Sequence, residues 1–465
     1  MSTLIIKSGT TSIEGAIVKG SFSYFSGSTK DLGPTSTTGF YSGIDAPSGG
    51  YTVYQIGGPN GWTARVATDD SSLNSILIGA GATGSTVNEN ISWATNTTSV
   101  YINSGPPPPS VYYYVGGYFT TYKGSSQNRF IKLDNSGTKD SSLDVGTGFN
   151  NGVEVIVTDS SGKIYAGSTA YTTYKSSSQN RLIRLLTNGT KDSTYNIGTG
   201  FGGNFTGVSD IAIDSNGEGI MVGSFSTFTG SSQNRIIRLN SDGSKDTAFD
   251  VGSGFNGAAY CVGIDSNGKI YVGGDFTTYK GVTQNRLIRL NSDGSKDTAF
   301  NIGTGFNGGV TSIAIASNNQ IYCAGGWDTY KGLSRPGMIK INTDGSIDFT
   351  WSGEYPPGVP EQIILDSNQQ VVMVGRYSPG IRRYNSNGST DNTFNPGTGA
   401  NGDFVYSLVQ DNNGKYLVGG QFTSWNSTTG INKIVRLQSN GTLDTTFSGG
   451  TGFNSDVLSI KAITI

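Results

Sequence analysis

Short apolar runs alternate with polar turns along most of this chain, and the alternation repeats. Around residue 280 the runs AAYCVGID, GKIYVGG and RLIRLN are followed by a shorter one, SKDTAFN. Their apolar positions alternate or are β-branched, and none is long enough for a helix, so each predicts a strand. Asp265-Ser266-Asn267-Gly268 and Ser292-Asp293-Gly294 separate them. Asn or Asp beside Gly tolerates the positive φ of tight hairpin turns. A single basic residue marks the register of seven copies: Lys132, Arg184, Arg238, Arg289, Lys340, Arg383 and Arg436, in steps of 52, 54, 51, 51, 43 and 53 residues. Asp140, Asp192, Asp246, Asp297, Asp348, Asp391 and Asp444 keep the same steps. A repeat of about fifty residues with four short strands is the sequence form of a propeller blade.

The two ends of the array predict how it closes. The first copy begins at Val111 with what is already a second strand, and the chain finishes VLSIKAITI, Val457 to Ile465, which matches the missing first strand. The expected fold is therefore all-β, a seven-bladed β-propeller of four-stranded blades (residues 111–465) closed by the C-terminal strand. Closure removes the two sheet edges that an open array would leave for aggregation.

Residues 1–104 lack the repeat, and Gly105-Pro106-Pro107-Pro108-Pro109-Ser110 (105–110) reads as a stiff extended spacer. Before it, Gly39-Phe40-Tyr41 and GGYTVYQIG predict strands. Asp69-Asp70 ahead of SSLNSILIG, and the capping-box spacing of Thr86-Val87-Asn88-Glu89, predict short helices. The expected N-terminal unit is a small α+β module.

Composition changes little. Seventy Gly, 14% charged residues and a net charge of −2 suit many tight turns and give no electrostatic reason for a nucleic-acid partner. Cys261 and Cys323 fall on neighbouring copies, where a reduced buried pair is favoured over a disulfide. MSTLIIKSGTTSIEG is not a signal peptide, and no apolar stretch approaches the roughly 20 residues of a membrane span. A Gly/Ser/Thr/Asn-rich chain of this kind suggests release by lysis or an uncommon export route.

The run GGDFTTYKG…QNRLIRLNSDGSKDTAFNIGTGFNG is similar to the delta-60-type repeats that form β-propellers, over residues 111–465. GFYSGIDAPSGGYTVYQIGGPNGWTARVATDDSSLNSI resembles a module in structural proteins of tailed phages of Bacteroidetes-type bacteria. That second resemblance implies a virion component and an N-terminal attachment module. Neither pattern brings catalytic residues with it.

Candidate chemistry is sparse. With no histidine, Ser-His-Asp and Cys-His systems and the usual zinc sites are absent. Of six glutamates only Glu354 and Glu361 lie close together, and solvated loop acids are the favoured reading over an acid pair. Asn240-Ser241-Asp242-Gly243-Ser244-Lys245-Asp246 superficially resembles a calcium loop but lacks the terminal glutamate, which favours a hairpin turn. The recurrent Arg and Asp are expected to pair as framework. Tyr122, Tyr174, Phe228, Tyr279, Tyr330 and Trp425 recur in the loop between second and third strands, either packed between blades or stacked on sugars, with packing favoured. Irregular positions are better site candidates: Trp327, Trp351, Glu354, Tyr355, and Tyr377 beside the loop that the sixth copy has lost, with Trp425 added from the aromatic register. No metal and no cofactor is expected.

The expectation is thus a non-enzymatic phage virion protein, a tail-fibre or baseplate propeller that contacts a host-surface glycan or protein. Its partners would be other virion proteins, in a homo- or hetero-oligomeric assembly without nucleic acid or membrane insertion. A head fibre or tail spacer without its own ligand is the alternative. A polysaccharide depolymerase or a bacterial adhesin ranks below both.

Overall fold

The computed structural model describes residues 110–203, 207–353, 358–400 and 403–464, and, further towards the N-terminus, the backbone of the strands alone. The chain divides into two compact units, Met1–Ser110 and Val111–Ile465. The proline spacer and Gly39-Phe40-Tyr41 lie outside the described residues.

The N-terminal unit contains two antiparallel sheets. One runs in the order Thr11–Ser12, Thr3–Ser8, Thr97–Asn103, Val87–Ser92, the other Ile44–Asp45, Tyr51–Gly58, Gly61–Thr68, Leu73–Ile78. The expected α+β module is corrected, because both predicted helices are strands and no helix occurs among the described residues. Period-two alternation in Val87-Asn88-Glu89-Asn90-Ile91-Ser92 outweighs the capping-box spacing. LNSILI is likewise six residues long, too short to be a helix of ordinary stability.

The second unit is built of seven blades. Each has three antiparallel strands, in sequence order in all but the first blade, and a short fourth joined to the third by a single bridge such as Leu290↔Lys296. In the fourth blade these are Ala259–Ile264, Ile270–Gly274 and Leu287–Leu290. The turn after the first strand is held by the Asp265 carboxylate, which accepts the amides of Asn267 and Lys269, both at 2.9 Å, with Gly268 at φ 73°. In the first blade the innermost strand is Val457–Thr464, antiparallel to Val111–Gly117. This last strand also lies beside the inner strands Val405–Gln410 and Val155–Thr158.

Between second and third strands the sequence predicts a loop, and most blades instead carry a two-stranded ribbon, such as Thr278–Tyr279 with Val282–Thr283. Lys280 (φ 49°) and Gly281 (φ 78°) both sit in the left-handed region, the geometry of a type I′ hairpin whose twist matches its strands. Each ribbon rests on the preceding Gly-Thr-Gly-Phe connection through bridges such as Phe306↔Tyr330.

Apolar side chains gather between blades. Seven clusters of buried residues are each shared by two neighbouring blades. One holds Val111, Tyr113, Val457 and Ile460 of the first blade against Leu417 and Ile434 of the seventh. The recurrent charges form the polar counterpart. Arg289 Nε donates to Asp297 at 2.9 Å, and its NH1 donates to the Thr343 carbonyl of the next blade. Arg436 likewise pairs with Asp444 at 2.7 Å and reaches the Asn135 carbonyl at 2.6 Å. Asp444 is held well below the usual carboxylate range. Burial opposes this, but hydrogen bonds from Lys415, Thr446 and Arg436 outweigh it.

Candidate functional site

The fifth blade departs from the pattern of the other copies at two adjoining places. Four blades enter the third strand through Gln-Asn-Arg. There the buried glutamines Gln127, Gln179, Gln233 and Gln284 each donate to the backbone carbonyl three residues on. The neighbouring Asn285 donates to the Thr304 carbonyl at 2.8 Å, tying the blade to the connection that follows. In the fifth blade the triplet is Arg335-Pro336-Gly337. Proline has no amide to make that bond, and Arg335 is not buried in glutamine's place.

The second departure follows the framework aspartate. Six copies carry a small polar residue there: Ser141, Ser193, Thr247, Thr298, Asn392 and Thr445. The fifth carries Phe349, whose side chain is 66% exposed. The Arg335 guanidinium lies over its ring, 5.3 Å from the centroid. Asp348 beside it is engaged elsewhere. Burial would raise its pKa, but hydrogen bonds from Thr350 and Lys340 hold it at about 2. Arg335 has no acidic partner among the described residues, and its NH1 donates only to the Ser334 carbonyl at 3.0 Å.

Between these departures lies a pocket of about 170 Å³, lined by Ser334, Arg335, Pro336, Phe349, Trp351 and Ser352 among others. Trp351 takes the place of Phe249 and Phe300 in earlier copies. It packs edge-on against Tyr322, centroids 5.5 Å apart, and its Nε1 has no hydrogen-bond partner although buried. The sixth blade, next in the chain, passes from Val371–Gly375 to Ile381–Tyr384 without a ribbon.

The sequence-predicted site residues scatter. Trp327 is buried and donates from Nε1 to the Arg335 carbonyl at 2.7 Å, so it fixes the backbone that presents the guanidinium. Trp351 lines the pocket wall with only 5% of its surface exposed. Tyr377 is buried, its hydroxyl donating to the Met373 carbonyl at 2.9 Å, and Trp425 is fully enclosed against Phe422. All four of these site candidates are buried in inter-blade cores, and of the four Trp351 alone also lines the pocket. Glu354 and Tyr355 lie outside the described residues. Glu361 pairs with Arg376 at 2.7 Å. The recurrent tyrosines are framework too, Tyr122, Tyr174, Tyr279 and Tyr330 each donating to a glycine carbonyl fifteen residues on.

Arg335 and Phe349 were not singled out from sequence. The signal was present, as each breaks a column that the other copies keep, but attention to tryptophans and to the lost loop passed over it. Cys261 and Cys323 are free and buried, and burial pushes both thiols up. Asp242 Oδ1 accepts the amide and hydroxyl of Ser244 at 2.9 and 2.6 Å, the work of a hairpin turn.

The family model described as a domain of unknown function (DUF5122) beta-propeller matches residues 113–143, 160–195, 215–249, 266–300, 317–350, 366–394 and 412–447, one stretch per blade. No curated protein matches the chain. Among solved structures, a Lactobacillus plantarum protein is 13% identical, with 76% of this chain and 99% of that one covered and a TM-score of 0.47. A catalytically inactive virginiamycin B lyase from Staphylococcus aureus with quinupristin is 19% identical, over 63% and 83%, at 0.41. A Xanthomonas campestris gluconolactonase is 13% identical, over 66% and 93%, at 0.34. The expectation that the chain is not an enzyme is corrected on this point. The solved structures similar to it include a lyase and a gluconolactonase by their titles.

Proposed function

As the chain belongs to the DUF5122 beta-propeller family, whose description assigns no function, we propose that its propeller is a recognition body whose site is the pocket on the fifth blade. One observation carries the reading. A glutamine kept in four blades and a small polar residue kept in six are exchanged together, at one place, for a guanidinium with no acidic partner among the described residues and an exposed aromatic. Repeat arrays gain binding sites where individual repeats depart from the shared pattern, because the framework no longer uses those positions. An aromatic face with a charged edge suits a glycan.

In this reading the ring is sealed by the C-terminal strand, which covers the Val111–Gly117 strand that would otherwise be an edge. The N-terminal unit attaches it to a phage particle, a role supported by the resemblance of residues 39–103 to a tailed-phage module. Full-length protein on an array of bacterial surface polysaccharides, with reducing ends measured in parallel, tests the reading. Binding to a defined set of glycans is expected, and a blank array contradicts it.

A further inference from the structure

Resting on that reading, we infer that the fifth-blade pocket takes an acidic sugar, a pyranose ring bearing a carboxylate, as in a uronic acid. The pocket's size comes first. At about 170 Å³ it is close to the engineered cavity of roughly 150 Å³ that admits one benzene ring. That is room for about one six-membered ring of a longer chain.

Charge selects which ring. Every register cation of the propeller faces an aspartate: Arg184 with Asp192, Arg383 with Asp391, Lys340 with Asp348. Arg335 is not a register cation and has no such partner among the described residues. The nearest carboxylate along the chain from Phe349, Asp348, is already bound by Lys340 at 2.9 Å and by Gln320 at 3.0 Å. An incoming carboxylate thus meets a guanidinium that no acid among the described residues holds, and can form a charge-assisted, bidentate pair with it.

Geometry supports the sugar over a simple anion. The guanidinium is stacked on Phe349, yet 66% of that side chain stays exposed, so the ring also offers an open apolar edge and face. Sugar C–H groups pack against such rings while a carboxylate at the ring's end reaches the neighbouring cation. Trp327, bonded to the Arg335 carbonyl, and Pro336 restrict the backbone that carries the cation, so it is positioned before the ligand arrives. A free phosphate would use Arg335 but gain nothing from Phe349.

The test uses the full chain and calorimetry with a uronate oligosaccharide, its carboxyl-reduced neutral counterpart, and inorganic phosphate. Two variants restore the residues of the other repeats, Arg335→Gln and Phe349→Thr, and thermal melts check that both fold as the parent does. The uronate should bind at least about tenfold more tightly than the neutral oligosaccharide, and each variant should lose about tenfold or more in uronate affinity. Equal binding of acidic and neutral sugars, or variants that bind uronate as the parent does, overturns the assignment. So does phosphate binding that Phe349→Thr leaves unchanged while uronate fails. If the parent binds array glycans and both variants keep that binding, the recognition reading survives and this site falls. If the parent binds no glycan at all, both fall.

Discussion

The carboxylate of Asp210 accepts a hydrogen bond from the amide of Val262, 2.8 Å away on the next blade's innermost strand. It is one link of a belt. Ser459 accepts the Ile156 amide at 3.0 Å, Ser312 that of Ile363 at 3.0 Å, and Gln362 that of Leu408 at 2.7 Å. Innermost strands are sheet edges with unpaired amides, and each of these side chains caps one belonging to its neighbour. Val155 holds the equivalent position in the second blade and cannot do so. The Ile211 amide it leaves uncapped is taken by the other oxygen of Asp210, at 2.8 Å.

A dependence on pH follows from that placement. Burial among the inner strands raises the Asp210 pKa to about 7, against the two amide hydrogen bonds that lower it. An acid whose folded pKa lies above its unfolded value binds more protons when folded. Its contribution to stability is therefore complete below about pH 4 and lost as pH rises through 7. Thermal melts from pH 4 to 8 should show a loss of roughly 2 kcal/mol in the parent, reduced from the full shift because the side chain keeps some solvent contact. Asp210→Asn should flatten that slope. Parallel slopes in the two proteins would show that another group is responsible.

The register pairs predict the opposite slope at lower pH. Asp192 and Asp444 are held below the normal carboxylate range, so the stability they supply is present at neutral pH and lost as pH falls below about 4. Arg289→Ala removes one of two cationic partners of Asp297, Lys269 being the other at 3.0 Å, and the link to Thr343, and should cost about 1.5–3 kcal/mol in urea unfolding at pH 7. A cost under 1 kcal/mol would place the pair among surface ion pairs.

Both thiols should be silent. Cys261 and Cys323 are buried with raised pKa, so neither should react with iodoacetamide at pH 8 until the protein is unfolded. Rapid labelling of the folded chain would contradict the packing between the fourth and fifth blades.

Deleting residues 457–465 should strip the first blade of its innermost strand and uncover the Val111–Gly117 edge. The truncated chain should aggregate, or melt well below the parent. An unchanged melting temperature would mean that the strand does not seal the ring.

Much of this architecture was readable because the repeat supplies internal comparison. The Arg and Asp columns, the Asx-Gly turns and the unmatched strand at Val457–Ile465 each appear as a register, and a register survives any uncertainty in local propensity. The N-terminal unit offers one copy of everything. There the capping-like Thr86-Val87-Asn88-Glu89 competed with strand alternation without a second example to decide between them. Burial was harder still to read. Trp327, Trp351, Tyr377 and Trp425 look like recognition residues by type, yet propeller cores between blades are filled by large aromatics. Phe349 is a plainer residue, and only its column of serines, threonines and asparagine shows that it has no place in a core.

The central claim is that recognition rests on the fifth blade's departures from the repeat. The most direct measurement is the polysaccharide-array profile of one variant carrying Arg335→Gln, Pro336→Asn and Phe349→Thr, beside the parent. The account predicts a folded protein with the parent's melting temperature within a few degrees and no glycan binding. A variant that melts like the parent and binds the same glycans as strongly would contradict it.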